Sequence, residues 1–173
     1  VGRVFALGAV GGIHADLLAP GALAVPDQVV DYTWGREMSF FDGESGPLEH
    51  CDFTWPFAQP LREILITAAA ELGVVALDGG VYGVTQGPRL ETVAEINRLQ
   101  RDGCDLVGMT AMPEAILARE LGIEYAMLTV TVNAAAGRGN VPILEEFETQ
   151  TEAAIAGAVA VLERAVMLAV ECG

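Results

Sequence analysis

With 173 residues, 52% of them hydrophobic, the chain is long enough to bury one core and too short for two, so a single domain is expected over 1–173. Twenty-four acidic against nine basic residues give a formal net charge of -15, and no Lys/Arg cluster forms a stripe for a phosphate backbone, which excludes nucleic acid as a partner. The same charge repels anions arriving from solvent, so a phosphate or phosphorylated ligand requires a local site of N–H groups or arginine.

The chain opens on the apolar run Val1-Gly2-Arg3-Val4-Phe5-Ala6-Leu7, which reads as a strand already inside a sheet. A buried strand needs neighbours on both sides, and chain preceding Val1 is therefore expected. Strands are predicted over 4–7 and 22–30, joined by a loop over 8–21. The polar, Gly- and Pro-marked stretch 31–56 is too long for a tight turn, and loops of this length commonly serve function or an interface. A helix follows over 57–72, with Gly73 where a C-terminal glycine cap belongs. Strands over 74–77 and 81–85 flank Asp78-Gly79-Gly80, a hairpin-type turn signal. Then come a helix over 92–102, a strand over 105–109, and a helix opening at Pro113 and ending near Gly122. Residues 125–132 are apolar or Thr throughout, the pattern of a buried strand. A loop through Gly137-Arg138-Gly139-Asn140 leads into a long final helix over 144–170. The alternation of short β-branched runs with amphipathic stretches is that of an α/β domain, and no internal repeat interrupts it.

Cys51, Cys104 and Cys172 are an odd number without CxxC spacing or paired histidines, which fits a reducing compartment, the cytoplasm, with no disulfide framework and no zinc. No basic leader precedes an apolar stretch, and the apolar segments are read as broken by Gly, Asn or charge well short of a membrane span, so no membrane is expected.

Four segments have the composition of a ligand site, and each also has a plainer reading. Ala9-Val10-Gly11-Gly12 follows a strand, where glycines let backbone N–H groups approach a ligand but equally make a tight strand exit. In Gly87-Pro88-Arg89-Leu90-Glu91-Thr92-Val93-Ala94-Glu95, Thr92 and Glu95 form a capping box, which puts Glu91 just before the N-cap. From position alone Glu91 complements the helix dipole and Arg89 is a solvated charge; the functional alternative is that Glu91 accepts from a ligand N–H. Gly108-Met109-Thr110-Ala111-Met112-Pro113-Glu114 sets a hydroxyl between a strand end and a helix start, a ready anion site, though Thr110 also suits capping and Met109 core filling. Asn133 ends the buried strand, where an amide suits a purine edge or satisfies loose backbone groups. His14 and His50 are lone loop histidines.

In this order and spacing the four segments, with Val107 and Thr131-Val132-Asn133, resemble the trimeric purine nucleoside phosphorylase family across essentially the whole chain, closest to its 5'-methylthioinosine and methylthioadenosine phosphorylase members. The resemblance implies an α/β, phosphorylase/hydrolase-like three-layer fold, a central mixed β-sheet flanked by helices, with the family's N-terminal strands upstream of Val1. It implies reversible phosphorolysis, in which phosphate attacks the anomeric carbon of a nucleoside through an oxocarbenium-like transition state; phosphate is then a co-substrate, and neither metal nor organic cofactor is called for. Carried over, Gly8, Ala9 and Thr110 lie at phosphate, Val10 and Gly11 line the base pocket, Met109 packs against the ribose, and Glu91 and Asn133 meet the purine edge as the catalytic pair, with Ala134, Ala135 and Leu144 completing the substrate pocket.

The identities within that resemblance discriminate further. Adenine-specific members place an Asp where this chain has Asn133; an Asn donates to O6 and N7, and Glu91 accepts from N1–H, which fits a 6-oxopurine. Val141, Ile143 and Leu144, with no His after His50, suit an apolar 5'-methylthio group. His50, within His50-Cys51-Asp52-Phe53, resembles the loop that enters a neighbouring subunit's site, implying a homotrimer with shared sites. Two departures stand beside this: Gly8 replaces the family's usual Asn or Thr, and the family's Gly-rich phosphate loop and Arg-His motif lie upstream of Val1. The chain is thus expected to be either part of a complete enzyme acting on 5'-methylthioinosine or an inactive remnant of one, with methylthioadenosine or inosine/guanosine phosphorolysis, or a non-catalytic nucleoside-binding subunit, as alternatives.

Overall fold

A computed structural model describes residues 1–43 and 47–171, so Cys172 lies outside the described residues. Strands β1 (Arg3–Gly12) and β7 (Glu124–Ala134) run parallel through the centre of a seven-stranded mixed sheet, paired from Arg3 opposite Glu124 to Gly12 opposite Ala134. Every residue of β7 after Glu124 is buried, as expected of a strand covered on both faces. Strand β1 extends well beyond the predicted 4–7, because β7 offers partners through the glycines that were read as a loop.

The rest of the sheet is built from one parallel ribbon. β2 (Leu23–Val25) lies beside β4 (Ala76–Asp78), and β3 (Gln28–Asp31) beside β5 (Val81–Val84), with the same sequence offset in both halves. One half bonds through β2 to β7, the other through β5 to β6 (Leu106–Gly108), which itself pairs antiparallel with the end of β1. The strand order is therefore β3-β5-β6-β1-β7-β2-β4, and the ribbon curls the sheet by joining its two ends. Between the halves Gly79 donates to the Val25 carbonyl and Gly80 to the Asp27 carboxylate, both at 3.0 Å.

Two sequence expectations are corrected here. The predicted strand 22–30 is two strands broken at Pro26-Asp27, and Asp78-Gly79-Gly80 is not a hairpin: β4 and β5 sit at opposite ends of the sheet. The glycines, at φ +111° and +110°, bend a chain whose partner runs alongside it instead of reversing it. Arg62 of α1 (Gln59–Glu71) secures the bend, donating to the Val25 and Pro26 carbonyls at 3.1 Å and pairing with Asp78 at 2.5 Å.

Helices cover both faces. α1, closed by Gly73 at φ +69°, packs with α4 (Ile143–Glu171) on one side of β7, where Leu61, Leu65, Ala158, Val161 and Ala165 meet Leu128, Val130 and Val132. On the other side α3 (Ala111–Glu120) brings Ala111 and Ala115 against Tyr82 and Met127; Met112 is non-helical, so the regular turns begin at Pro113 as the sequence suggested. α2 (Val93–Arg101) opens with the Thr92/Glu95 capping box in place. α4 corrects the reading of the apolar segments: it is long and apolar enough, by length and composition, to cross a membrane, with a mean hydropathy of 1.9. Alanine and valine raise that value, and it is they that pack one side of the helix into the core.

Gly12 shows how closely the sheet is covered. A Cβ there stands 1.7 Å from the Leu17 carbonyl oxygen, an atom that also accepts from Thr131 Oγ1 at 2.9 Å. Gly12→Ala is expected to push residues 15–18 off the sheet and destabilise the fold by about 3 kcal/mol. Thermal unfolding checks this against Gly2→Ala, where a Cβ meets nothing within 4 Å. Equal melting temperatures would refute it.

Candidate active site

Where the last residues of β1 and β7 meet the exit of β6, the sheet leaves a cavity of about 390 Å³. Ala9, Val10 and Gly11 form its floor with Val107, Val132 and Asn133; Met109 and Thr110 enter after β6, and Pro88, Leu90 and Glu91 enter from the loop before α2. Ile143, Leu144 and Phe147 of the first turns of α4 close the remaining side.

Asn133 reaches this cavity through a register slip. Val10 opposes Thr131 but Gly11 opposes Asn133, so Val132 is an extra residue that re-aims the residues after it. Thr129 and Thr131 give their hydroxyl protons to the Ala24 and Leu17 carbonyls at 3.0 and 2.9 Å. Asn133, only 7% exposed, donates from Nδ2 to the Ala134 carbonyl at 2.8 Å. That bond fixes the amide's orientation, since the reverse sets two acceptor oxygens face to face. One N–H and the Oδ1 oxygen remain for a ligand.

Glu91 is freed from helix duty by its neighbours. Thr92 caps the Glu95 amide at 3.2 Å, and Glu95 answers on the Thr92 amide at 2.8 Å. Arg89 is not a merely solvated charge: it forks onto Glu95 at 2.7 and 2.8 Å, and this bond above all, with the Thr92 amide behind it, holds the Glu95 carboxyl down at about 2. Glu91 instead accepts from Thr85 Oγ1 at 2.6 Å and faces the cavity. The helix-dipole role that position alone favoured belongs to Glu95.

Thr110 precedes α3 as its N-cap yet makes no side-chain cap bond. Its hydroxyl lies 3.4 Å from the Tyr82 phenol, whose burial pushes it above the usual tyrosine range and keeps it protonated. Met109 rests on the turn at Gly87, which at φ +63° leaves room for the thioether: a Cβ there stands only 2.4 Å from Sδ.

Ten of the residues proposed from sequence thus share one cavity: Ala9, Val10, Gly11, Glu91, Met109, Thr110, Asn133, Ala135, Ile143 and Leu144. Gly8 is buried with its Cβ direction toward Met127, Ala134 turns its Cβ toward Gly139, and Val141 and the exposed His50 lie outside this chain's cavity lining. Thr85, Arg36 and Phe147 escaped the sequence reading. Phe147 had a signal, since it falls one helical turn beyond Ile143 and Leu144 and so shares their face. Thr85 had a weaker one, a hydroxyl just past the carboxyl end of β5. Arg36, a single cation in a long polar loop, had none, yet it donates to the carbonyls of Thr85, Gln86, Met109 and Met112 and to Gln86 Oε1. Among the described residues no group of three or more His, Cys, Asp or Glu is disposed to hold a metal ion.

The curled mixed sheet flanked by helices is the nucleoside phosphorylase fold. The chain belongs to the phosphorylase superfamily, whose family model matches residues 1–167. It is 55% identical over 138 residues to a probable S-methyl-5'-thioinosine phosphorylase of Xanthomonas campestris pv. campestris, a match covering 80% of this chain and 55% of that protein. It is 45% identical over 142 residues to a 6-oxopurine nucleoside phosphorylase of Pyrococcus furiosus, covering 79% and 53%. Among solved structures it is similar to a methylthioadenosine phosphorylase from Schistosoma mansoni in complex with adenine, with a TM-score of 0.89 at 27% identity, covering 96% of this chain and 65% of that one. The chain spans about half the length of the curated relatives it matches.

Proposed function

We propose that the protein carrying this chain catalyses phosphorolysis of a 6-oxopurine nucleoside, 5'-methylthioinosine above all, giving hypoxanthine and 5-methylthioribose 1-phosphate. The observation that carries this reading is the pairing of one carboxylate, Glu91, with one amide, Asn133, on the polar side of a single cavity. A 6-oxopurine presents a donor at N1 and an acceptor at O6; a carboxylate matches the first and an amide N–H the second. A phosphate oxygen attacks C1', the C1'–N9 bond breaks, and its electron pair passes into the purine. The remaining Asn133 N–H meets the charge that grows on O6, while Oδ1 accepts from N7 once that nitrogen is protonated. Phosphate sits beside Ala9 and the Thr110 hydroxyl at the opening of α3, with Gly8 behind, and no metal or organic cofactor takes part.

Ile143, Leu144 and Phe147 favour a methylthio group over a 5'-hydroxyl, since none of the three offers a hydroxyl a hydrogen-bond partner. The names of the Xanthomonas campestris and Pyrococcus furiosus relatives support both parts of this assignment. We further assign a homotrimer in which His50 enters the neighbouring subunit's site, and a cytoplasmic setting in keeping with the free thiols of Cys51 and Cys104. Phosphate-dependent base release from methylthioinosine, inosine, guanosine and methylthioadenosine by the purified full-length protein tests the reading. Methylthioinosine is expected to have the highest kcat/KM; preference for methylthioadenosine would overturn it.

A further inference from the structure

Glu91 stands between two hollows. In front lies the cavity it shares with Asn133; behind it a more polar cleft of about 460 Å³ opens beside Thr85, Gln86 and Arg89, and Glu91 lines both while Thr85 lines only the rear one. Thr85 has a single hydroxyl proton and two acceptors within reach, Glu91 Oε1 at 2.6 Å and the Gly108 carbonyl at 3.3 Å. The shorter contact to the charged oxygen takes the proton. The Gly108 carbonyl does not depend on that hydroxyl, because the Thr85 backbone N–H already donates to it at 2.8 Å. Among the described residues no other side chain donates to Glu91.

We propose that Thr85 is the positioning residue for Glu91 and a determinant of base specificity: by engaging Oε1 from behind, it leaves one carboxylate oxygen for the base and selects a 6-oxopurine with hydrogen at C2 over one with a 2-amino group. This inference rests on the 6-oxopurine reading and deepens it. Guanine presents two parallel donors, N1–H and N2–H, which are best met by both oxygens of a carboxylate in a fork. Hypoxanthine presents only N1–H. With Oε1 turned to the rear, Oε2 satisfies the single donor of hypoxanthine, and the second donor of guanine is buried without a matched acceptor. A site built for one hydrogen-bonding pattern discriminates sharply against a ligand whose polar groups it leaves unpaired.

Thr85→Val keeps the branched shape and the backbone bond to Gly108 but removes the proton. The ratio of kcat/KM for inosine to that for guanosine is expected to exceed one in the wild type, to fall about tenfold in T85V, and to be retained in T85S. A general loosening of the fold lowers both activities together and leaves the ratio unmoved. Equilibrium binding of the free bases to the wild type supplies a second reading that needs no variant, with hypoxanthine bound more tightly than guanine. The proposal is overturned by guanine binding as tightly as hypoxanthine, or by a folded T85V with an unchanged ratio. In either case, activity on inosine and methylthioinosine leaves the 6-oxopurine reading standing. A wild type that prefers methylthioadenosine sinks both.

Discussion

Asn133→Asp is expected to turn the base preference from 6-oxo toward 6-amino, shifting the ratio of kcat/KM for methylthioinosine to that for methylthioadenosine by about 10²-fold or more. The substitution is nearly isosteric, so the cavity keeps its shape and only the hydrogen-bonding pattern changes. In the wild type Nδ2 donates to the Ala134 carbonyl at 2.8 Å and holds a second N–H in reserve for O6. A carboxylate has no N–H to offer: it opposes O6 with negative charge, whereas a 6-amino group gives it a donor. The position is 7% exposed, so an introduced carboxylate is also poorly solvated and its pKa rises. In its protonated form it donates to the Ala134 carbonyl and keeps one oxygen as an acceptor for the amine. The variant therefore binds the amine in either protonation state and satisfies O6 in neither. Steady-state rates on the two methylthio nucleosides, with circular dichroism to verify folding, check the shift; a folded variant with wild-type preference would show that Asn133 does not read the base.

How much of this was legible in the sequence depends on the range of the interaction that fixes each feature. β7 was readable because ten successive buried positions leave a periodicity of their own, and the capping box because Thr92 and Glu95 settle it between themselves. Gly79 and Gly80 misled for the same reason that they usually inform. Their positive φ is a local fact, but whether it produces a reversal or a bend is decided by the distant segment 23–31. Gly11 and Gly12 likewise read as a strand exit, although β7 carries β1 through them. At the site, Glu91 and Asn133 had motif neighbours that marked them. Thr85 acts across a loop on Glu91, and Arg36 acts on two segments distant from it, so neither leaves a spacing to recognise.

Arg36→Met is expected to cost both stability and turnover, because this one guanidinium ties together the two walls that the substrate must lie between. All five of its N–H donors are used: Nε on Gln86 Oε1, Nη1 on the Met109 and Met112 carbonyls, and Nη2 on the Thr85 and Gln86 carbonyls at 3.2 and 3.1 Å. Those carbonyls lie past the ends of β5 and β6 and at the entrance to α3, so Arg36 sets the loop carrying Glu91 relative to the segment carrying Met109 and Thr110. Methionine matches the apolar stem as far as Nε but supplies no donor, and four half-buried carbonyls lose their partner together. Loss of a donor to a buried acceptor costs about 1–3 kcal/mol, and water reaches some of these groups, so a total of about 3 kcal/mol is expected. Lysine restores the charge yet offers three donors from a point in place of a planar fork, so Arg36→Lys is expected to recover less than half of the lost stability. Chemical denaturation gives the stability change. Kinetics at saturating nucleoside should show kcat reduced about 10²-fold, since small misplacements of reacting groups are costly even when binding survives. If R36M unfolds at the wild-type denaturant concentration and turns over normally, the carbonyl cluster is not what holds the two walls in register.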